Sequence, residues 1–336
     1  MKRHGNLFDK ITNIENLRLA YHKARKGKTW QRAIKEFEKN AEGNLLKIRN
    51  SLVNKTFTTS PYKTKIIHEP KKRQIYILPF TPDRIVQHAL MNILEPIYEG
   101  LFTFHSYSCR LNKGTHAASR KTMEFVRKNK YCLQCDIAKF YPSVKHDILS
   151  NIVRKKIKCK DTLWIINDII HSFEGKQNLP IGNFTSQWLG NLYLNELDQY
   201  LKHKYKIKYY LRYCDDFIAF HDDKKYLQYI AKIIENFIAN KLGLSLSKCA
   251  VFPVSQGIDF VGYRHFKKYI LIRKSTTKRV KKRLSRLPKQ LEKGYITHDQ
   301  FRSSLASTTG WLKWANSHNL YSSLQIDKLI ELYNAT

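Results

Sequence analysis

Residues 207–220 read Ile207-Lys208-Tyr209-Tyr210-Leu211-Arg212-Tyr213-Cys214-Asp215-Asp216-Phe217-Ile218-Ala219-Phe220. Two apolar, aromatic-rich runs meet at an adjacent pair of aspartates. Short β-favouring runs meeting at a polar pair predict a hairpin with the carboxylates at its tip. Carboxylates held at a rigid tip suit Mg2+, a hard cation that prefers oxygen ligands. Neighbouring residues of a strand face opposite sides of the sheet, so at most one of the two can serve a shared site on one surface. A third carboxylate from a neighbouring strand is therefore expected.

Working outward, Tyr131 to Ile137 reads as a buried strand with Asp136 near its end, followed by Ala138-Lys139-Phe140-Tyr141. An aspartate at a strand end with a tyrosine soon after is an arrangement a nucleotide site would use. The carboxylate holds metal and the ring packs beneath the sugar, leaving no room for a 2′-hydroxyl. A plain core aromatic at Tyr141 is the competing reading. Thr81-Pro82-Asp83 reads as a helix start, with Thr81 as cap and Pro82 in the first turn. Further helices are expected over about 20–48, 85–94, 145–158, 185–201 and 225–242. Turns are expected at Glu69-Pro70-Lys71-Lys72 and at Leu179 to Asn183, and short strands near 244–251 and 258–263. Strands and helices are mixed without strict βαβ alternation, which predicts an α+β fold with a largely antiparallel sheet.

The chain has 336 residues, a formal net charge of +34 and 42% hydrophobic residues. It is expected to be globular and to attract a polyanion, with nucleic acid favoured over an anionic membrane. No apolar run reaches the roughly 18 residues of a spanning helix, and Met1 to Asn6 leads into no signal-peptide core, so a soluble cytoplasmic protein is expected. The six cysteines suggest no disulfide framework; Cys132 and Cys135 form a lone C-x-x-C and read as cysteines of a buried strand. The thirteen histidines form no H-E-x-x-H cluster. Arg264 to Lys293 holds thirteen Lys or Arg and one acid, Glu292. Such a block repels itself in isolation, so a bound phosphate backbone is its expected counterpart.

Nucleotidyl transfer needs an activated 3′-hydroxyl and a stabilised pyrophosphate, which two metal ions about 3.5–4 Å apart can provide. Asp136, Asp215 and Asp216 are the expected ligands. Here the residues resemble a known family. Tyr213 to Asp216 match the Y-x-D-D motif of reverse transcriptases, and Asp136 to Tyr141 match their first catalytic motif, with Tyr141 at the steric-gate position. Arg73 matches the arginine that contacts the incoming triphosphate. Leu244-Ser245-Leu246-Ser247-Lys248 resembles the following motif, which implies a general-acid role for Lys248. Gly257 to Tyr263 resembles the primer grip. The resemblance implies a right-hand polymerase with fingers, palm and a helical thumb. It divides the chain into an N-terminal helical extension (1–54), fingers and palm (55–263) and a basic thumb (264–336). It also implies two Mg2+ ions, dNTP substrates, a template RNA and a primer or cDNA strand.

One segment departs from the common pattern. Most reverse transcriptases open it with Gln-Gly and close it with Ser-Pro; here it reads Ile181-Gly182-Asn183-Phe184-Thr185-Ser186-Gln187. This pattern is similar to the reverse transcriptases of diversity-generating retroelements. That likeness implies a bacterial or phage-encoded enzyme that copies a template-repeat RNA, misincorporates opposite adenines and works with a small, basic, oligomeric accessory variability protein. An isoleucine in place of a glutamine amide loses a polar restraint on the nascent base pair, which would loosen selection; alternatively, Ile181 simply packs. A reverse transcriptase of a retron, a group II intron or a phage-defence system is the nearest other enzyme. A non-catalytic RNA-binding scaffold is the reading from another class.

Overall fold

The structure is a computed structural model and describes residues 3–68 and 72–334. Glu69, Pro70 and Lys71 of the expected turn lie outside the described residues. The helices are α1 (Phe8–Thr12), α2 (Ile14–Arg25), α3 (Arg32–Glu38), α4 (Ala41–Val53), α5 (Ile85–Glu99), α6 (Thr115–Lys128), α7 (Phe140–Ser143) and α8 (His146–Arg154). They continue with α9 (Lys160–His171), α10 (Phe184–Gln199), α11 (Lys224–Leu242), α12 (Lys274–Leu284), α13 (Leu287–Glu292), α14 (His298–Lys313), α15 (His318–Ser323) and α16 (Ile326–Asn334). The strands are β1 (Lys63–Ile67), β2 (Arg73–Ile77), β3 (Tyr131–Ile137), β4 (Tyr209–Tyr213), β5 (Asp216–His221), β6 (Leu246–Pro253), β7 (Ile258–Phe260), β8 (Tyr263–His265) and β9 (Ile270–Ile272). The result is a mixed α/β fold with small sheets among many helices.

The chain divides into two compact units. The first comprises Met1–Arg110, Asp136–Lys208 and Lys232–Lys248. Its helices form because apolar residues recur at helical spacing: Leu17, Ala20, Tyr21 and Ala24 line the buried face of α2, which packs on α5. The Asn13 side chain caps α2 by accepting from the Glu15 amide at 2.8 Å. In α5, Val86, Ala89, Leu90 and Leu94 are buried. Helix α10 is buried almost all round, from Thr185 to Asp198, as befits the interior of a helical layer. The antiparallel hairpin β1–β2 runs in the register Lys63↔Ile77 to Ile67↔Arg73.

Thr81 takes the extended backbone angles of an N-cap (φ −120°, ψ 138°), and the helical angles that run on into α5 begin after it, at Pro82, as expected. A residue before proline is pushed out of the helical region. The Asp83 carboxylate, which could have served the helix start, accepts instead from the Ser60 amide at 2.9 Å.

The second unit comprises Leu111–Cys135, Tyr209–Ala231 and Cys249–Thr336. Most of a four-stranded sheet, ordered β4-β5-β3-β6, lies in it, and β3 and β6 run on into segments of the first. Strands β7, β8 and β9 form a separate antiparallel sheet. Helix α6 buries Ala118, Ser119, Thr122, Phe125 and Val126 and contacts β4, β7 and β8. The C-terminal helices close around Leu284, Leu287, Phe301, Leu305, Leu312 and Ile326. The basic block runs from the β8–β9 hairpin, with Arg264, Lys267 and Lys268, through α12 and α13. Among the described residues no helix is long and apolar enough to cross a membrane.

Candidate active site

The expected hairpin is present. β4 pairs antiparallel with β5 in the register Tyr209↔Phe220 to Tyr213↔Asp216, which leaves Cys214 and Asp215 as a two-residue turn. Cys214 sits at φ 56°, the positive value such tight turns require in their first residue. The buried side chain of Arg212 braces the turn, its Nη1 donating to the Cys214 carbonyl at 3.0 Å. Asp215 and Asp216 are both half-buried. Gln134 on β3 reaches Asp216: its Nε2 lies 3.5 Å from Oδ1, and it donates to the Asp259 carbonyl at 2.8 Å. These contacts all belong to the second unit.

Asp136 belongs to the first unit and is also half-buried. The Ser247 hydroxyl donates to its carboxylate and, at 3.2 Å, contacts its carbonyl. The Ala138 amide donates to the Ser245 carbonyl at 2.8 Å, which fixes the chain just beyond the aspartate. Lys248 follows on β6 with its side chain exposed. The sheet order makes β3, the strand of Asp136, the neighbour of β5, the strand that Asp216 opens.

Carboxylate oxygens are suitable donors for a hard divalent cation. Among the described residues no group of three or more His, Cys, Asp or Glu side chains is drawn together so as to hold a metal. Cys132 and Cys135 are buried and three positions apart on one strand, so they face opposite sides. The Cys135 thiol, 3.4 Å from that of Cys249, is held well above the ordinary thiol range by that hydrogen bond and by burial.

Tyr141, Arg73, Ile181 and Gly182 lie in the first unit. Tyr141 is in α7, just after Lys139, which takes a left-handed conformation. Its carbonyl accepts from the Leu179 amide at 2.8 Å. Gly190 of α10 allows the ring to approach: a Cβ there would stand 3.2 Å from Phe140 Cε1 and 3.4 Å from Tyr141 Cε1. Arg73 opens β2 with its side chain exposed. The Ile181–Asn183 turn is fastened to β2 by the Tyr76 amide, which donates to the Ile181 carbonyl at 2.8 Å. Gly182 (φ 126°) could not be another residue without movement, since a Cβ would lie 2.2 Å from the Tyr76 carbonyl oxygen. Beyond it, Asn183 donates to the Tyr62 hydroxyl at 2.7 Å, and Gln87 accepts from the Phe184 amide at 3.0 Å. Ile181 is half-buried and Gln187 exposed.

Three supporting residues are not singled out by the sequence motifs: Gln134, Arg212 and Ser247. Each left a trace. Gln134 is a polar residue within an apolar strand, Arg212 a charge within another, and Ser247 lies one residue from Lys248 in a segment already marked.

The chain matches the family described as "Reverse transcriptase (RNA-dependent DNA polymerase)" over residues 63–265. It belongs to the reverse transcriptase family. It is similar to Protein YkfC of Escherichia coli, 26% identical over 238 residues, which are 57% of this chain and 62% of that protein. It is also similar to Group II intron-encoded protein LtrA of Lactococcus lactis subsp. cremoris, 26% identical over 298 residues, 66% of this chain and 50% of that protein. A third relative is the Retron Ec73 reverse transcriptase of Escherichia coli, 26% identical over 204 residues, 52% of this chain and 61% of that protein. The chain spans from about a fifth to about three fifths of the length of the curated relatives it matches.

Proposed function

We propose that the protein is an RNA-directed DNA polymerase that extends a primer on an RNA template, with fingers, palm and thumb in the right-hand arrangement. The observation that carries this reading is the Tyr213-to-Asp216 hairpin, whose second strand lies beside the strand of Asp136, in a chain of the reverse transcriptase family. Asp136, Asp215 and Asp216 would hold two Mg2+ ions. Bound there, the metals would lower the pKa of the primer hydroxyl and neutralise the leaving pyrophosphate. The chain's own groups do the positioning. Ser247 and Gln134 orient the Asp136 and Asp216 carboxylates, Tyr141 lies beneath the sugar of the dNTP, Arg73 takes its triphosphate and Lys248 protonates pyrophosphate. The test is primer extension on a primed RNA template with Mg2+ and dNTPs, comparing wild type with Asp215→Ala. Extension by wild type alone, with equal template binding, is expected. Equal binding with extension by neither would favour the non-catalytic scaffold.

The finer reading is a reverse transcriptase of a diversity-generating retroelement, error-prone at template adenines, acting on a template-repeat RNA with a small basic accessory protein. It is supported by the Ile181-to-Gln187 segment, where an apolar side chain stands on a backbone fastened to β2. Two of the named relatives are a group II intron-encoded protein and a retron reverse transcriptase, and they favour only the broader family. An intron, retron or phage-defence enzyme is therefore the alternative, and the fidelity of the cDNA separates them.

A further inference from the structure

The second unit carries a basic pocket, to which Lys268 of the basic block contributes. It has a volume of about 600 Å3, and the cations Arg120, Arg127, Lys128, Lys268 and Lys313 line it. Its one lining carboxylate, Glu124, is already bonded by Lys121 at 2.5 Å and Lys128 at 3.0 Å. Lys268 and Lys313 are exposed and make no ion pair among the described residues. Tyr269 adds an exposed ring to the lining, and Trp314 a half-buried one.

The walls are tied to one another on every side. Helix α6 joins the β8–β9 turn through Arg127, whose Nε donates to the Lys267 carbonyl at 3.1 Å. It joins the end of α14 through the Trp314 indole, which donates to Ser119 at 2.9 Å. The β8–β9 turn joins the end of α14 through Ile270 and Asn316: the Ile270 amide donates to the Asn316 side chain at 3.0 Å, and the Asn316 amide to the Ile270 carbonyl at 2.8 Å. The backbone segments that carry the cations are therefore held together before any ligand arrives, which lowers the cost of ordering them on binding.

The pocket stands apart from the Asp215–Asp216 turn. Arg120, Glu124, Arg127 and Lys128 share the solvent face of α6, opposite the face that packs inward. On that inward face, Phe125 meets Tyr209 and Phe220 edge-on, at 5.2 and 6.0 Å between ring centroids. Those two residues form the register pair at the far end of the hairpin from its turn.

We infer that this pocket holds a segment of single-stranded RNA outside the polymerase cleft. Its phosphates would lie on Lys268, Lys313 and the α6 cations, with a base against Tyr269. Cations with an exposed aromatic ring are the means by which single strands are held without reading their sequence. The choice of RNA as the polyanion rests on the polymerase reading; the pocket itself does not.

The experiment measures binding of a short single-stranded RNA oligonucleotide by fluorescence anisotropy over a range of salt. It compares wild type, Lys268→Ala/Lys313→Ala, and the exposed control pair Lys224→Ala/Lys232→Ala on α11. Each phosphate contact contributes about 0.7 to the slope of log K against log salt, so the pocket pair should reduce the slope by about 1.4 while the control pair leaves it unchanged. Primer extension by the wild type is measured alongside. A wild-type slope in the pocket variant would overturn the inference. So would double-stranded RNA of equal length competing as well as the single strand. If wild type extends no primer yet the slope still falls, the polymerase reading fails and the pocket stands.

Discussion

The Tyr76 amide and the Ile181 carbonyl are joined by a 2.8 Å hydrogen bond that fastens the Ile181–Asn183 turn to the second strand of the β1–β2 hairpin. The fit leaves no space at the next residue, where a Cβ on Gly182 would overlap the Tyr76 oxygen. Gly182→Ala is therefore expected to destabilise the protein by about 2–4 kcal/mol, from backbone strain and overpacking together. Gly114→Ala is the comparison, because Gly114 has φ 107° and nothing within 4 Å of an added Cβ. In thermal unfolding the Gly182 variant should melt well below the Gly114 variant; equal melting temperatures would contradict the packing described.

In the proposed retroelement reading, the side chain next to this bond bears on fidelity. Ile181→Gln restores an amide where the wild type has only hydrocarbon, and a polar contact discriminates far more strongly than an apolar one. Sequencing of cDNA made by the two proteins should show fewer errors opposite template adenines in the variant, by about tenfold if one hydrogen bond of about 1.4 kcal/mol is gained. An unchanged error spectrum would leave Ile181 as a packing residue.

Gln134 is a positioning residue in the polymerase reading. Gln134→Leu removes the amide that reaches Asp216 and should lower extension by about 10–100-fold, the usual effect of losing an outer partner of a metal ligand. A purely structural loss would scale activity at every Mg2+ concentration alike. The positioning role instead predicts a higher half-saturating Mg2+ concentration, with RNA affinity unchanged, and an unaltered Mg2+ titration would remove Gln134 from that role.

His265 supplies a pH dependence. Burial pushes its imidazole down to about 4. Its partners define the neutral form: Nδ1 faces the Ile258 carbonyl at 3.1 Å and donates to it, while Nε2 accepts from the Ser119 hydroxyl at 2.8 Å. An unfolded histidine titrates near 6.5. Between about pH 6.5 and about pH 4 the unfolded chain takes up a proton that the folded chain refuses. This contribution is therefore fully present above about pH 6.5 and falls with pH through the window, by up to about 3 kcal/mol. Urea titrations of wild type and His265→Gln should show the wild-type advantage narrowing from pH 7 to pH 4.5. A constant difference would place the proton elsewhere.

The elements legible in the sequence are those whose apolar pattern is strong. Strand β3, the β4–β5 hairpin and helices α5, α10 and α11 fall close to where periodicity puts them. Helix α6 left little signal, because much of its buried face is Ala118, Ser119 and Thr122 rather than large hydrocarbon. Its burial follows from partners distant in sequence, such as Trp314 and His265. The helix start at Thr81-Pro82 is legible, but the bond from the Ser60 amide to Asp83 is a tertiary choice that no local rule contains. At the candidate site the motif residues were readable from type and spacing. Gln134, Arg212 and Ser247 were not, since a supporting role depends on what lies across the sheet or across a turn.

The tightness of the Cys214–Asp215 turn limits how this region can change. With Tyr213 paired directly to Asp216, one inserted or deleted residue would shift the register by a single step and turn every side chain of β5 to the opposite surface. Position 214 can vary in chemistry, within what a left-handed backbone allows, but the loop cannot vary in length. Homologues and engineered variants should therefore differ here by substitution and never by an indel.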